Sequence, residues 1–203
     1  MKLNSLIIIL IFCVSCSKLN NENTDYQTQP FDISVSELPD LSIFHLPAKW
    51  TTQNKEVIEL HDLRGRVLVM VMIYTSCQVA CPRLVADMRS IESEIAKNLK
   101  GNVKYILVSI DPTTDTPERL KSFALENQMN DEQWLFLQGD EDNVLEFAAL
   151  LGVRFKKVSP VDFSHSNIIS VFDRNGVLVY QQQGLGVDNN ETVNIIRALA
   201  KSI

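Results

Sequence analysis

The chain has 203 residues, enough for one domain of ordinary size and a short extension, and its 45% apolar content supplies a real core. The formal net charge is -6 and no Lys/Arg-rich run stands out. That argues against nucleic acid as a partner, because phosphate binding needs clustered positive charge.

In chain order, the first element is an export signal. Lys2 precedes an apolar run over 6–14. A bilayer-spanning helix needs about 20 apolar residues, so this run is too short to cross and suits a signal-peptide core. Val14-Ser15-Cys16 resembles the end of a bacterial lipobox, with Cys13 where an aliphatic residue is usual, and a polar tail follows at once. The expectation is a lipoprotein-type signal peptide over 1–15, an acylated Cys16 with a polar linker over 16–37, and one domain over 38–203. The protein is then a membrane-anchored lipoprotein of the bacterial cell envelope, with its domain on the periplasmic side. A tether of this kind reaches roughly 20 Å. Cys13 leaves with the signal peptide, so Cys77 and Cys81 remain as the domain's thiols. Outside the cytosol two nearby cysteines either pair as a disulfide or bind metal.

Residues 50–52 and 56–58 predict a small hairpin around Gln53-Asn54-Lys55. The unbroken apolar run over 67–74 predicts a strand buried on both faces. Leu84, Val85, Met88, Ile91, Ile95 and Leu99 recur at helical spacing, which predicts a helix over 82–99 stopped by Gly101. A second buried strand follows over 103–110. Asp115-Thr116-Pro117-Glu118 then reads as a capping box opening a helix, with Asp115 as the cap. A short strand over 134–137, a helix over 143–151 ending at Gly152, a hairpin of 167–172 and 177–182, and a helix over 190–203 complete the chain. This order predicts an α/β fold: a thioredoxin-like sandwich with a central mixed β-sheet flanked by helices, plus an N-terminal hairpin extension.

Tyr74-Thr75-Ser76-Cys77-Gln78-Val79-Ala80-Cys81-Pro82 places both thiols at the carboxyl end of the most buried strand, just before a helix. Ligands bind at that edge of open α/β sheets, and a helix N-terminus lowers a nearby thiol's pKa. Pro82 belongs in the first helical turn, so the helix starts near Cys81 and Cys77 lies on the loop. Dedicated thiol–disulfide enzymes usually carry C-x-x-C, whereas three residues intervene here. Two soft thiolates suit Cu(I), and a histidine would complete a site for Cu(II). His45 and His61 read as surface residues, and His165 lies in a polar loop leading into an apolar strand.

Three motifs in this order carry a resemblance: Cys77-x-x-x-Cys81-Pro82, the stretch Val108-Ser109-Ile110-Asp111-Pro112 with Asp115-Thr116-Pro117, and Phe163-Ser164-His165-Ser166 followed by Phe172-Asp173 and Gly176. From about Leu38 onward the chain resembles the Sco/SenC family. The resemblance implies a thioredoxin-like fold and copper as Cu(I) or Cu(II) held by Cys77, Cys81 and His165. It implies a role as a copper chaperone rather than an enzyme, maturing the binuclear copper site of a cytochrome c oxidase, with the oxidase's copper-bearing subunit or a similar copper enzyme as partner. Many relatives carry an acidic residue where this chain has Val79. A Cys77–Cys81 disulfide is the expected oxidised state. The alternative is a membrane-tethered thiol–disulfide reductase using the same pair.

Overall fold

Seven consecutive apolar residues without a charge, a Gly or a Pro make β3 (Val67–Ile73), and every one of them is buried. The computed structural model describes residues 38–78, 80–160 and 162–202. The expected signal peptide, the acylated Cys16 and the linker lie outside the described residues, as do Val79 and Val161.

β3 sits inside a seven-stranded sheet of order β2-β1-β5-β4-β3-β8-β9. The other strands are β1 (Lys49–Thr52), β2 (Val57–Glu59), β4 (Val103–Ser109), β5 (Trp134–Gln138), β8 (Ile168–Phe172) and β9 (Leu178–Gln183). β3 runs parallel to β4, and β4 to β5, while β8 is antiparallel to β3 and to β9. The β1–β2 hairpin pairs antiparallel with β5, so it extends the edge of the sheet. This is the thioredoxin-like mixed sheet expected. α1 (Ala80–Glu94) touches α4 (Asn190–Lys201), α4 covers β3 and β9, and α2 (Pro117–Glu126) lies against β5. α3 (Glu141–Leu151) is capped by the Asp140 side chain and ends at Gly152, whose φ of 66° is easy for glycine.

Three expectations need correction. α1 stops at Glu94, because the Ile95 N–H bonds to the Glu92 carbonyl three residues back and tightens the chain. A 3-10 helix over Lys97–Asn102 then absorbs Gly101, and Ile95 and Leu99 are still buried. Second, α2 is capped by Thr116, whose hydroxyl accepts from the Arg119 N–H; Asp115 is turned into the interior. Third, β6 (Phe155–Ser159) and β7 (Asp162–His165) form a separate two-stranded sheet. His165 ends a strand and does not lie in a loop. His45 and His61 sit in 3-10 turns at Ile43–His45 and Leu60–Leu63.

Trp50 lies fully inside, its ring edge-on to Phe147 at 5.5 Å, and the backbone of Gly139 passes directly over it. A Cβ at Gly139 would stand 2.7 Å from the indole ring, inside van der Waals contact. Overpacking of this kind costs about 1–3 kcal/mol. Gly139→Ala is therefore expected to lower the urea midpoint at unchanged m-value; an unchanged midpoint would show that the indole can move aside.

Candidate metal centre

Parallel strands release their chains at the same edge. β3 and β4 end at Ile73 and Ser109, which are paired in register, and the Ile110 N–H bonds to the Ile73 carbonyl at 2.8 Å. The segment 74–77 leaves from one strand and the segment 110–116 from the other. They are tied together by Asp115, which has no exposed surface. Its carboxyl accepts from the Thr75 N–H at 3.1 Å, the Thr75 hydroxyl at 2.5 Å and the Ser109 hydroxyl at 2.6 Å. The Thr75 hydroxyl accepts in turn from Arg119 Nε at 3.1 Å. Burial pushes the Asp115 carboxyl up, and the three hydroxyl and amide donors oppose that shift.

The two thiols then fall into place. Cys77 is half-buried on the loop, and its Sγ accepts from the Cys81 N–H at 3.2 Å, at the free N-terminal end of α1. Cys81 is fully buried in the first turn. The two are not joined as a disulfide. The helix terminus does not lower the Cys81 thiol as its position suggested. Burial pushes it well up, against a backbone hydrogen bond at Tyr74, and the neighbouring Cys77 adds to the rise.

β7 delivers the third group. Phe163 and His165 alternate on its inner face. His165 Nε2 stands 3.7 Å from Cys81 Sγ, and Nδ1 is 3.0 Å from the Ser166 carbonyl. A carbonyl only accepts, so Nδ1 carries the ring proton and Nε2 keeps its lone pair. Burial pulls the His165 pKa down, against the Ser166 bond and the Asp162 charge, so the imidazole is neutral. The ligand atoms of Cys77, Cys81 and His165 all lie within 4.8 Å of one another. Among the described residues they are the one such group of three, and His45 and His61 are not part of it. Cys77 and His165 open on a cleft of about 560 Å³ lined also by Tyr74, Ser76 and Phe163. Two thiols and a pre-oriented imidazole form a donor set for a soft or borderline metal ion.

The sequence reading missed two features. The β6–β7 hairpin escaped because four of the five β6 residues are exposed, so no apolar alternation marks it. The usable signal was the alternation of Phe163 and His165. Tyr74 was read only as the end of an aliphatic strand. In the structure its ring packs edge-on to His165 at 5.7 Å, and burial and its bond to Asp162 keep the phenol protonated.

The SCO1/SenC family model matches residues 43–201. The SCO1 protein homolog of Bacillus subtilis (strain 168) is 26% identical over 145 residues, which cover 71% of this chain and 65% of that protein, so the match spans somewhat less than two thirds of the relative. A SCO1/SenC family lipoprotein of Bacillus anthracis superposes with a TM-score of 0.69 at 24% identity, covering 81% of this chain and 99% of that one. Arabidopsis thaliana ScoI, solved with copper bound, gives 0.68 at 16% identity over 79% and 99%. BsSco, described as a member of the Sco family of cytochrome c oxidase assembly proteins with a disulfide switch, gives 0.67 at 24% identity over 79% and 95%. These structures share the fold.

Asp115 supports the site from outside the donor set, as the shared acceptor of the Thr75 and Ser109 donors. Each buried donor left without a partner costs about 1–3 kcal/mol. Asp115→Ala strands the Thr75 amide and the Ser109 hydroxyl and is expected to lose about 3 kcal/mol in urea unfolding. A loss under about 1 kcal/mol would mean that these donors find other acceptors. The matched span takes in the whole sheet and all three donor residues, and the chain belongs to the SCO1/SenC family.

Proposed function

We propose that the protein is a copper-binding assembly protein, a metallochaperone that helps to mature the binuclear copper site of a cytochrome c oxidase. Copper is its cargo, held by Cys77, Cys81 and His165. The observation that carries this reading is the placement of a neutral imidazole with its Nε2 lone pair turned to a buried thiol 3.7 Å away. Thiolates suit Cu(I), imidazole nitrogen suits Cu(II), and the set serves both states. Copper in the Arabidopsis relative and the oxidase-assembly role of the BsSco family support it. The partner is the copper-bearing subunit of that oxidase or a similar copper enzyme. The thiols are close enough for small movements to join them as a disulfide, in which neither sulfur carries the thiolate charge that binds metal. The same pair supports a second reading as a thiol–disulfide reductase, and the half-buried Cys77 thiol favours it in that a partner could reach it.

A copper titration separates the two. Reduced protein is expected to bind about one equivalent and oxidised protein none; equal uptake in both states would remove the proposed site. Losing even a group that supports a ligand costs roughly 10–100-fold in affinity, or about 1.4–2.8 kcal/mol, so His165→Ala should cost Cu(II) at least that much. It should abolish the sulfur-to-copper charge-transfer band while largely sparing Cu(I). His45→Ala and His61→Ala are controls that should leave the band intact, and a band lost in a control but kept in His165→Ala would reassign the ligand.

We also propose that Cys16 is acylated and tethers the domain to the extracytoplasmic side of a bacterial membrane, a reading supported by the lipoprotein nature of the B. anthracis neighbour. Cys16→Ala is expected to move the protein from the membrane to the soluble fraction, or to stall its processing, with the domain still folded. An unmodified N-terminus at another position in intact-mass analysis would refute the assignment.

A further inference from the structure

His165 rides on a hairpin that the main sheet does not hold. β6 and β7 pair only with each other and make no ladder with the seven strands. A lone two-stranded hairpin is marginally stable at best in water. β6 adds little packing, since only Phe155 of its five residues is even partly covered. At its base the Ser166 N–H bonds to the Arg154 carbonyl at 2.8 Å, and the chain continues into β8. The far end, where Asp162 lies, needs another support.

That support is Tyr74. It is 2% exposed and follows directly on β3, the most deeply buried strand. Its hydroxyl donates to Asp162 Oδ1 and accepts from the Phe163 N–H at 3.3 Å. Its ring packs on Phe163 at 5.2 Å and edge-on to His165 at 5.7 Å. β7 is thus pinned at Asp162 by the phenol and at Ser166 by the chain, with His165 between the two fixed points.

We infer that Tyr74 and Asp162 form a latch that positions His165 as the third ligand: the pair sets how often the imidazole faces the thiols, and neither residue touches the metal. The inference rests on the copper reading for its metal readout, though not for its readout in the metal-free protein. Without the phenol the hairpin still exists, but the open arrangement gains population, and affinity falls by the fraction of time the ligand is away. Cu(II), which needs the imidazole, registers that loss. Cu(I), content with two thiolates, does not.

The test uses the full chain with Tyr74→Phe, Asp162→Ala, Asp162→Asn and the Tyr74→Phe/Asp162→Ala double variant. In the metal-free protein, amide hydrogen exchange at Phe163 to His165 is expected to speed up at least tenfold in Tyr74→Phe and Asp162→Ala, with β3, β4 and β8 unchanged. Cu(II) affinity is expected to fall about tenfold, the lower end of what outer partners of a ligand contribute, with Cu(I) affinity held within about twofold. Asp162→Asn keeps an acceptor oxygen and should restore most of both. The double variant should be no worse than either single one, as a shared interaction requires. Unchanged exchange at the hairpin, or faster exchange throughout the domain, would overturn the latch. So would additive losses in the double variant, or equal losses for Cu(I) and Cu(II). Wild-type protein that takes up no copper would refute the copper reading instead, and the exchange comparison would still decide the latch.

Discussion

β3 and β4 pair in parallel without a slip, Val67 with Val103 through Ile73 with Ser109, and the position of both thiols follows from that ladder. Parallel strands end at a common edge, so the chain leaving β3 and the chain leaving β4 are side by side. The first carries Thr75 and Cys77, and the second carries Asp115. A buried carboxyl then makes the connection firm, because its donors have no water to turn to. With Thr75 held, the chain reaches the start of α1 with Cys77 beside the Cys81 amide. The thiols are positioned by the most deeply buried strand and the hydrogen bonds at its end.

Two opposing effects meet at Cys81. The N-terminal end of a helix favours a thiolate, by roughly 0.3–1 kcal/mol in ordinary surface settings. Removal from water disfavours it by more, since a buried charge without a partner is costly. Desolvation wins, and the thiol is held well above its ordinary range. A bound cation would supply the positive charge that water no longer does and so deprotonate the thiol. Metal uptake at such a thiol expels its proton, and binding weakens as pH falls because protons compete for the sulfur. His165 is shifted the other way by the same burial, and that leaves it ready to ligate without losing a proton.

Much of this was legible in the sequence, and each part that was not has its own physical reason. β3 announced itself because both faces are buried, and an unbroken apolar run bounded by polar residues suits a central strand better than a surface element; β4 shows the same signal in the shorter run Tyr105 to Val108. The six apolar positions of the first helix were right even where its end was not, since the 3-10 turn keeps Ile95 and Leu99 on the inner side. Cys77, Cys81 and His165 were named from motif and resemblance, and the structure brings them together. Asp115 was misread because Asp is a good helix cap and its neighbour Thr116 is equally suited; local pattern cannot say which of the two turns inward. The Tyr74–Asp162 contact depends on partners 88 residues apart in the chain, and no periodicity records such a meeting.

The division of labour between rigid and loosely held ligands has a chemical consequence on the copper reading. A carrier must bind its metal well enough to keep it and still pass it on, so part of the binding must be removable without unfolding the protein. Two thiols on the main scaffold and one imidazole on a hairpin outside the sheet meet that requirement. Releasing the hairpin costs a few hydrogen bonds of about 1 kcal/mol each, whereas moving either thiol would disturb the buried start of α1. Detaching the imidazole lowers the coordination number by one, leaving a two-thiolate form that favours Cu(I) and has an open side facing the cleft. On the chaperone reading an incoming partner ligand would occupy that side before the thiolates let go, so that the β3–α1 junction would hold the metal and release would begin at His165.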